Sequence, residues 1–369
     1  MNRENTRTVS LTLTQNCNLS CSYCYEHHKS LRTMDFQTAK KIIDMEFASR
    51  ESDVTAFEFD LFGGEPFLEF PLIKEITEYI CSKKGELPCT IFATTNGTLV
   101  HGDVQDWLAA HKQCFICGLS LDGTKIMHDL NRSYSYDQID IPFFLNNYPE
   151  QDVKMTISEA TLPMLSEGVI HLHELGFLVS CNLGYEISWN DPNNAVVLEK
   201  ELSTLIEYYL SHPNVRPCSM LDMDISNIVN SSDEVPRYCG AGIYMAAYDV
   251  DGKKYPCQFF MPLSIGENLS TNVDQIVFPG ESISKQLLDT KCQTCAISAS
   301  CPNCFGANYF DSKNIYHRKD DMCYLTKIIF RARSYFRGRQ WANGQLHLDF
   351  PELQSMLKAI QIIQTELLI

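Results

Sequence analysis

Cys17-Asn18-Leu19-Ser20-Cys21-Ser22-Tyr23-Cys24 is the stretch on which the reading of this chain turns. It follows Thr8 to Thr14, where Val9, Leu11 and Leu13 alternate with hydroxyl residues at the period of a strand. The spacing predicts a strand that delivers the cysteine loop at its C-terminal end, where parallel α/β barrels keep their chemistry. Three cysteines so close on one loop cannot staple a fold, but their thiolates can converge on one inorganic centre. Thiolates are soft ligands that suit iron-sulfur clusters or zinc, and a usual structural site of either kind takes four protein ligands. This loop offers three, and an iron left without a fourth can bind a small molecule directly.

The Cys-x3-Cys-x-aromatic-Cys pattern of Cys17, Cys21, Tyr23 and Cys24 resembles the loop of the radical SAM family. The resemblance implies a 4Fe-4S cluster whose unique iron chelates the amino and carboxylate groups of S-adenosylmethionine, with Tyr23 near the adenine. The alternatives for the loop alone are a zinc site or reduced cysteines packed as small hydrophobes.

Further along, a second strand near Ala56 to Phe62 runs into Gly63-Gly64-Glu65-Pro66. Glycines at a strand end let backbone approach a ligand closely, and the carboxylate beside them can accept hydrogen bonds from an ammonium group. In the radical SAM family the same four residues follow the second strand, so the resemblance assigns Gly63, Gly64, Glu65 and Pro66 to the amino group of S-adenosylmethionine. Strand Thr90 to Thr94 leads into the polar turn Thr95-Asn96-Gly97, which adds Asn96 to the cofactor-site residues. On the next strand Ile116, Gly118, Ser120 and Asp122 share a face, and in similar enzymes this Ser-x-Asp-Gly strand end contacts the ribose and methionine of the cofactor. Arg132 is a further candidate, for the cofactor carboxylate. Strands Val153 to Ser158 and Val179 to Tyr185, with helix Pro163 to Leu175 between them, place Thr156 and Glu159 at the active end. Cys114 and Cys117 are three apart on a strand and point to opposite faces, so they are not a ligand pair. His171 and His173 are two apart on a helix and share no face, so they read as solvated or packed. Six strand-helix units fall short of a closed eightfold barrel. The resemblance likewise implies an α/β fold with a partial (β/α)6 TIM-type barrel.

After helix Ala195 to Ser211 the rhythm changes. A hairpin, Ile243 to Val250 and Lys253 to Gln258, turns at Asp251-Gly252 between Cys239 and Cys257. With Cys292-x2-Cys295-x5-Cys301-x2-Cys304 and Cys323, this set resembles the SPASM extension of radical SAM enzymes, although the usual last spacing has three intervening residues. The resemblance implies two auxiliary 4Fe-4S clusters, one on Cys292, Cys295, Cys301 and Cys323, the other on Cys239, Cys257 and Cys304. Cys218, a substrate or water would complete the second. A zinc ribbon on Cys292, Cys295, Cys301 and Cys304 is the competing reading. The expected organisation is therefore residues 1–215 as radical SAM barrel, 216–325 as SPASM domain and 326–369 as a helical tail. In that tail Arg331, Arg333, Arg337 and Arg339 interleave with aromatics, a face to be paired with acids or to dock an acidic peptide. Leu353, Met356, Leu357, Ile360, Ile363 and Leu367 form a stripe that suits a core or a dimer face.

The chain has 369 residues and 44% hydrophobic residues, enough for a large domain and a smaller one. No apolar run reaches the roughly 18 residues of a membrane helix and the polar start is no signal peptide, so a cytoplasmic protein without a membrane role is expected. Sixteen cysteines in a reducing compartment favour metal binding over disulfides. A formal charge of −16 argues against nucleic-acid binding.

In function, the resemblance implies reductive cleavage of S-adenosylmethionine to methionine and a 5′-deoxyadenosyl radical, with an electron from an external donor such as flavodoxin or ferredoxin. Auxiliary clusters suit a substrate radical that must then lose an electron. Two substrate classes compete among similar enzymes: sulfatases matured to formylglycine and precursor peptides that acquire cross-links. Similar sulfatase maturases carry an aspartate base directly after the hairpin cysteine, where this chain has Gln258, and an amide cannot accept that proton. The expectation is therefore a peptide maturase closing a carbon-carbon cyclophane ring, ahead of a thioether, with formylglycine formation as the further alternative. With Cys17 so early, leader recognition is expected from a separate leader-binding protein or from the C-terminal half. A noncatalytic iron-sulfur or zinc scaffold leaves Gly63 to Pro66 unexplained.

Overall fold

In the computed structural model, which describes residues 5–185, 187–229 and 232–367, the chain divides into two compact units. The first takes the described residues up to Leu121, then Asn131–Lys154 and Gly240–Phe278; the second takes Asp122–Leu130 and the described residues of 155–239 and 279–369.

In the first unit β1 (Thr6–Thr14), β2 (Ala56–Gly63), β3 (Cys89–Thr95) and β4 (Phe115–Leu119) lie side by side in chain order, all parallel. Parallel neighbours need crossovers, and the helices Phe36–Ala48, Phe70–Lys83 and Asp103–His111 supply them. The first starts where Asp35 accepts from the Thr38 N–H at 2.8 Å. Val9, Leu11, Leu13, Phe57, Phe59 and Leu61 are fully buried. The alternate face of the same strands is also buried but polar, with Ser10 donating to Asp60 at 3.0 Å. Beyond β4, Ser120 forms a parallel bridge to Lys154, the second residue of β5 (Val153–Ile157). β5 pairs with β6 (Val179–Leu183) in a separate two-stranded sheet. The six expected strands are thus all present, four in one sheet and two in the other.

The second unit holds the short antiparallel pair β7 (Glu234–Pro236) and β10 (Ser282–Ser284). The predicted hairpin is β8 (Met245–Tyr248) and β9 (Lys254–Tyr255), turned through Gly252 at φ +82°. Its pairing is a finding that the sequence does not announce: β8 runs parallel to β1, with Thr8 opposite Met245 and Leu11 opposite Tyr248. Arg7 fixes that edge by donating to the Ile243 carbonyl at 2.7 Å and to Glu46 at 2.9 Å, while the Tyr248 hydroxyl donates to the same Glu46. Compactness therefore groups residues 240–278 with the N-terminal strands rather than with a segment 216–325.

In the second unit helix Asn193–Ser211 and the helices Asp320–Ala342 and Phe350–Glu366 carry the core. Asp349 and Glu352 cap the last helix reciprocally. Ala359, Ile363 and Leu367 pack with Ile225, Ile228, Ile297 and Phe330, so the stripe of the tail is a core face. Leu357, expected on that stripe, is 38% exposed because it falls one turn position off the buried line.

Candidate metal and cofactor site

The cysteine loop begins where β1 ends, and a register shift between Thr12 and Thr14 turns the chain there. The loop is clamped to the end of β2 by two backbone bonds, Gly64 N–H to Thr14 O at 3.0 Å and Glu65 N–H to Asn16 O at 2.9 Å. Only glycine permits this contact, since a Cβ on Gly64 would stand 2.4 Å from Asn16 O and 3.0 Å from Cys17 Cβ. Cys17, Cys21 and Cys24 are half-buried on the clamped loop.

Glu65 is 1% exposed and held from three directions: Thr95 Oγ1 at 2.7 Å, the Asn96 N–H at 2.9 Å and the Phe67 N–H at 3.1 Å. Burial raises its carboxyl, and those three donors and the charge of Arg132 pull it back toward the ionised form. Pro66 is buried in the turn that follows, and Gly63 would bring a Cβ within 2.4 Å of Thr14 O. Asn96 joins the cysteine loop, its amide donating to Asn18 Oδ1 at 2.9 Å. Arg132 is buried with its guanidinium 5.3 Å from the ring centre of Tyr23. Tyr23, Asn96, Arg132 and Gly63 to Pro66 are therefore gathered with the three cysteines in the first unit. Ser120 belongs to the same unit, at the bridge beyond β4.

Asp122, Thr156 and Glu159 lie in the second unit. Asp122 is fully buried and accepts from the Thr156 N–H at 2.9 Å, and Glu159 accepts from Asn194 at 3.1 Å.

Several participants escaped the sequence reading. Lys29 lies beside the thiols of Cys24 and Cys17 and the carboxyl of Glu26. Glu26 is 6% exposed, burial pushes it up to about 8 against the opposing charge of Lys29, and its Oε1 has no hydrogen-bond partner. Burial likewise pushes the Cys17 thiol up to about 11. Tyr25 stacks on Phe259 at 4.9 Å. Gln258 donates to Asp60 at 2.7 Å and to Ser10 at 2.8 Å, and burial pushes Asp60 up to about 6. The pairings of Tyr25 with Phe259 and of Gln258 with Asp60 and Ser10 join residues far apart in the chain, whereas Glu26 and Lys29 follow Cys24 closely and lie within reach of a local reading.

In the second unit Cys292, Cys295, Cys301 and Cys323 line one cavity. Burial pushes Cys292 up to about 12, with Cys301, Cys323 and Cys295 as its charged neighbours. Cys304 does not line that cavity; burial pushes it up to about 11, and its thiol neighbour is Cys239. Cys304 thus stands apart from those four thiols. Cys257 belongs to the first unit. Cys218 is fully buried, bonded to Tyr209 and close to Cys181. Cys114 lies next to Cys81, while Cys117 is sealed in the core. His173 is packed, within 2.8 Å of the Tyr209 hydroxyl and 3.0 Å of Phe177 O. The tail arginines are mostly engaged: Arg333 is buried, Arg337 meets Asp222 at 3.3 Å and Arg339 meets Glu207 at 3.0 Å.

Among the described residues no group of three or more His, Cys, Asp or Glu side chains is drawn tightly enough for a single metal ion. A cubane spreads its thiolates over separate irons, and so asks for a wider grouping than a single ion does. Of the buried atoms without a hydrogen-bond partner, Arg318 Nε beside the tetrad is a donor from which a cluster sulfur could accept, while Glu26 Oε1 beside the triad and Asp289 Oδ2 beside Cys292 are acceptors.

The frame of this site is a parallel sheet whose first strand ends in a three-cysteine loop clamped to a Gly-Gly-Glu turn. Residues 11–140 match the radical SAM superfamily, and this part of the chain is a radical SAM domain. Such a domain carries a 4Fe-4S cluster and binds S-adenosylmethionine. The chain is 34% identical over 33% of its length to the antilisterial bacteriocin subtilosin biosynthesis protein AlbA of Bacillus subtilis, covering 25% of that protein. It is 33% identical over 32% of its length to a cysteine-type anaerobic sulfatase-maturating enzyme of Clostridium novyi, covering 32% of it. The matched segment thus spans about a third or less of either relative. The solved structure of anSMEcpe with bound AdoMet and Cp18Cys peptide has the same fold, with a TM-score of 0.68 at 18% identity over 92% of this chain and 99% of that one. No helix among the described residues is long and apolar enough to cross a membrane.

Proposed function

We propose that the chain is a cytoplasmic radical SAM maturase of a ribosomally made precursor peptide, closing an intramolecular cross-link, with a carbon-carbon cyclophane favoured over a thioether. The observation that carries this reading is the pairing of two cysteine sets: a triad locked to Glu65 in one unit and a tetrad around one cavity in the other. The similarity to AlbA and to the peptide-bound anSMEcpe structure supports a peptide substrate.

When bound, the first cluster and S-adenosylmethionine supply a one-electron cleavage that ends with a hydrogen atom removed from a substrate carbon. Cys17, Cys21 and Cys24 would hold that cluster. Glu65, fixed by Thr95, Asn96 and Phe67, would accept from the ammonium group, and Arg132 would face the carboxylate. Preorganised partners need no rearrangement when the ligand arrives. Ser120, Asp122, Thr156 and Glu159 are assigned to the remaining cofactor contacts. The substrate then loses one electron and one proton as the new bond closes. Cys292, Cys295, Cys301 and Cys323 would hold one accepting cluster, and Cys239, Cys257 and Cys304 a second. Cys218 is left out of that set because Tyr209 already engages it. The electron that opens the sulfonium comes from an external flavodoxin or ferredoxin. Leader recognition is assigned to a separate protein, since Arg333, Arg337 and Arg339 are already engaged.

Formylglycine formation is a second reading with one observation of its own. The carboxylate that position 258 lacks stands next to it, because Gln258 donates to Asp60, and an acid raised to about 6 is suited to proton acceptance near neutral pH. The test is anaerobic reconstitution followed by incubation with S-adenosylmethionine, reductant and peptide. A cross-link removes two hydrogens from the peptide and leaves no aldehyde, whereas formylglycine, whether made from cysteine or serine, leaves an aldehyde that a hydrazide probe captures. Absence of 5′-deoxyadenosine would sink both readings.

A further inference from the structure

Buried cations need a counter-charge, since a guanidinium taken out of water without an anion is among the most costly groups in a fold. Arg318 is 7% exposed, yet its acceptors are neutral: Nη1 donates to the Pro302 carbonyl and Nη2 to Thr326 Oγ1 at 2.8 Å. Its Nε–H is buried and has no acceptor. The side chain lines the cavity shared by Cys292, Cys295, Cys301 and Cys323, and Pro302, which holds it, follows Cys301 directly. Arg333 repeats the pattern. It is 5% exposed and donates to the Met220 carbonyl at 2.8 Å and to Met223 Sδ at 3.1 Å, and both guanidiniums act on the Cys301 thiol.

We infer that Arg318 is a positioning residue for electron transfer: its Nε–H donates to a sulfur of the cluster on Cys292, Cys295, Cys301 and Cys323, and this bond fits that cluster to accept the substrate's electron. The inference rests on the proposed presence of that cluster. A cubane on four thiolates is an anion that gains one further negative charge on reduction. A neighbouring cation and an N–H···S bond therefore stabilise the reduced form more than the oxidised one and raise the potential. No covalent bond changes at Arg318. A cluster held by Cys292, Cys295, Cys301 and Cys323 would take up the one electron that the peptide radical gives up as its proton departs.

The test is a redox titration followed by electron paramagnetic resonance on the anaerobically reconstituted full chain, comparing wild type, Arg318→Met and Arg318→Lys, with iron and sulfide counted in each. In a fully loaded Arg318→Met the auxiliary signal is expected to titrate at a more negative potential. Arg318→Lys, which keeps the charge and loses the Nε–H, should fall between the two. The first cluster's potential and peptide-free 5′-deoxyadenosine formation should not move. An unchanged auxiliary potential overturns the inference. Since Arg318→Met could lose its cluster, wild-type protein with heavy-nitrogen arginine supplies an independent measurement. Electron-nuclear double resonance on the reduced auxiliary signal should detect a guanidinium nitrogen, and no coupling overturns the inference. A wild-type iron count that stops at one cluster overturns instead the auxiliary-cluster reading beneath it.

Discussion

The triad in the first unit and the tetrad in the second draw on the same thiolate chemistry but differ in the charges around them: acids and cations mix at the triad, and buried guanidiniums outweigh one acid at the tetrad. Around the triad stand Glu65, Glu26, which burial keeps protonated up to about 8, and two cations, Lys29 beside its thiols and Arg132 facing Glu65. Two buried guanidiniums, Arg318 in the cavity wall and Arg333, act on the Cys301 thiol, and the acidic neighbour Asp289 has His317 at 3.0 Å and Lys291 at 3.6 Å as basic neighbours. Negative surroundings hold a cluster's potential down and positive ones raise it. Under the proposed function, this difference would fit the tetrad for taking an electron.

The most forceful way to break this comparison is to remove a ligand from each side. Cys21→Ala should abolish 5′-deoxyadenosine formation, measured by chromatography, while the tetrad keeps its iron. Cys301→Ala should do the reverse: 5′-deoxyadenosine still forms with peptide present, but modified peptide, followed by mass spectrometry, falls to background. If both variants fail alike, the two sets do not have separate roles.

A smaller effect sharpens the triad side. Glu65→Gln keeps the shape but loses the charge that faces an ammonium, and hydrogen bonds to charged groups are worth about 1.5–3 kcal/mol, or roughly ten- to hundredfold in affinity. Calorimetric titration of S-adenosylmethionine into the reconstituted protein checks this.

Asp60 gives a pH prediction. Its folded value, about 6, lies above the ordinary aspartate value, so the folded state binds this proton more tightly than the unfolded chain does. The stability it contributes is full below the ordinary value and is lost as pH rises through about 6. If it also takes the substrate proton, product formation should climb across the same range. Asp60→Asn should flatten both profiles, and a rate limb that survives the substitution removes Asp60 from the chemistry.

The smallest effect is expected at Arg339→Gln. Its pair with Glu207 is exposed on both sides, and such pairs contribute about 0–1 kcal/mol, so the melting temperature should barely move.

Much of the triad side was legible in the sequence because its parts are contiguous: the alternation before Cys17, the cysteine spacing and the glycine pair at the end of β2 each sit within a few residues. What makes the tetrad distinctive was not. Arg318 stands in an ordinary basic run, His317-Arg318-Lys319, and only the fold carries it to Cys301. Arg333 did leave a signal, since it lies three residues from both Phe330 and Phe336, on the face that both aromatics bury completely. The hairpin was readable from its turn, but its parallel pairing with β1 was not, because alternation reveals a strand and never its partner. Asp60 and Gln258, 198 residues apart, meet only through that pairing.

The central claim is that the three-cysteine loop leaves one iron for S-adenosylmethionine. Electron-nuclear double resonance on the reduced full chain, with the amino nitrogen or carboxylate oxygen of the added S-adenosylmethionine isotopically labelled, tests it most directly. The account predicts a strong coupling of that label to the cluster, lost in Cys21→Ala. An uncoupled label on a fully loaded cluster, or zinc in place of iron, would contradict it.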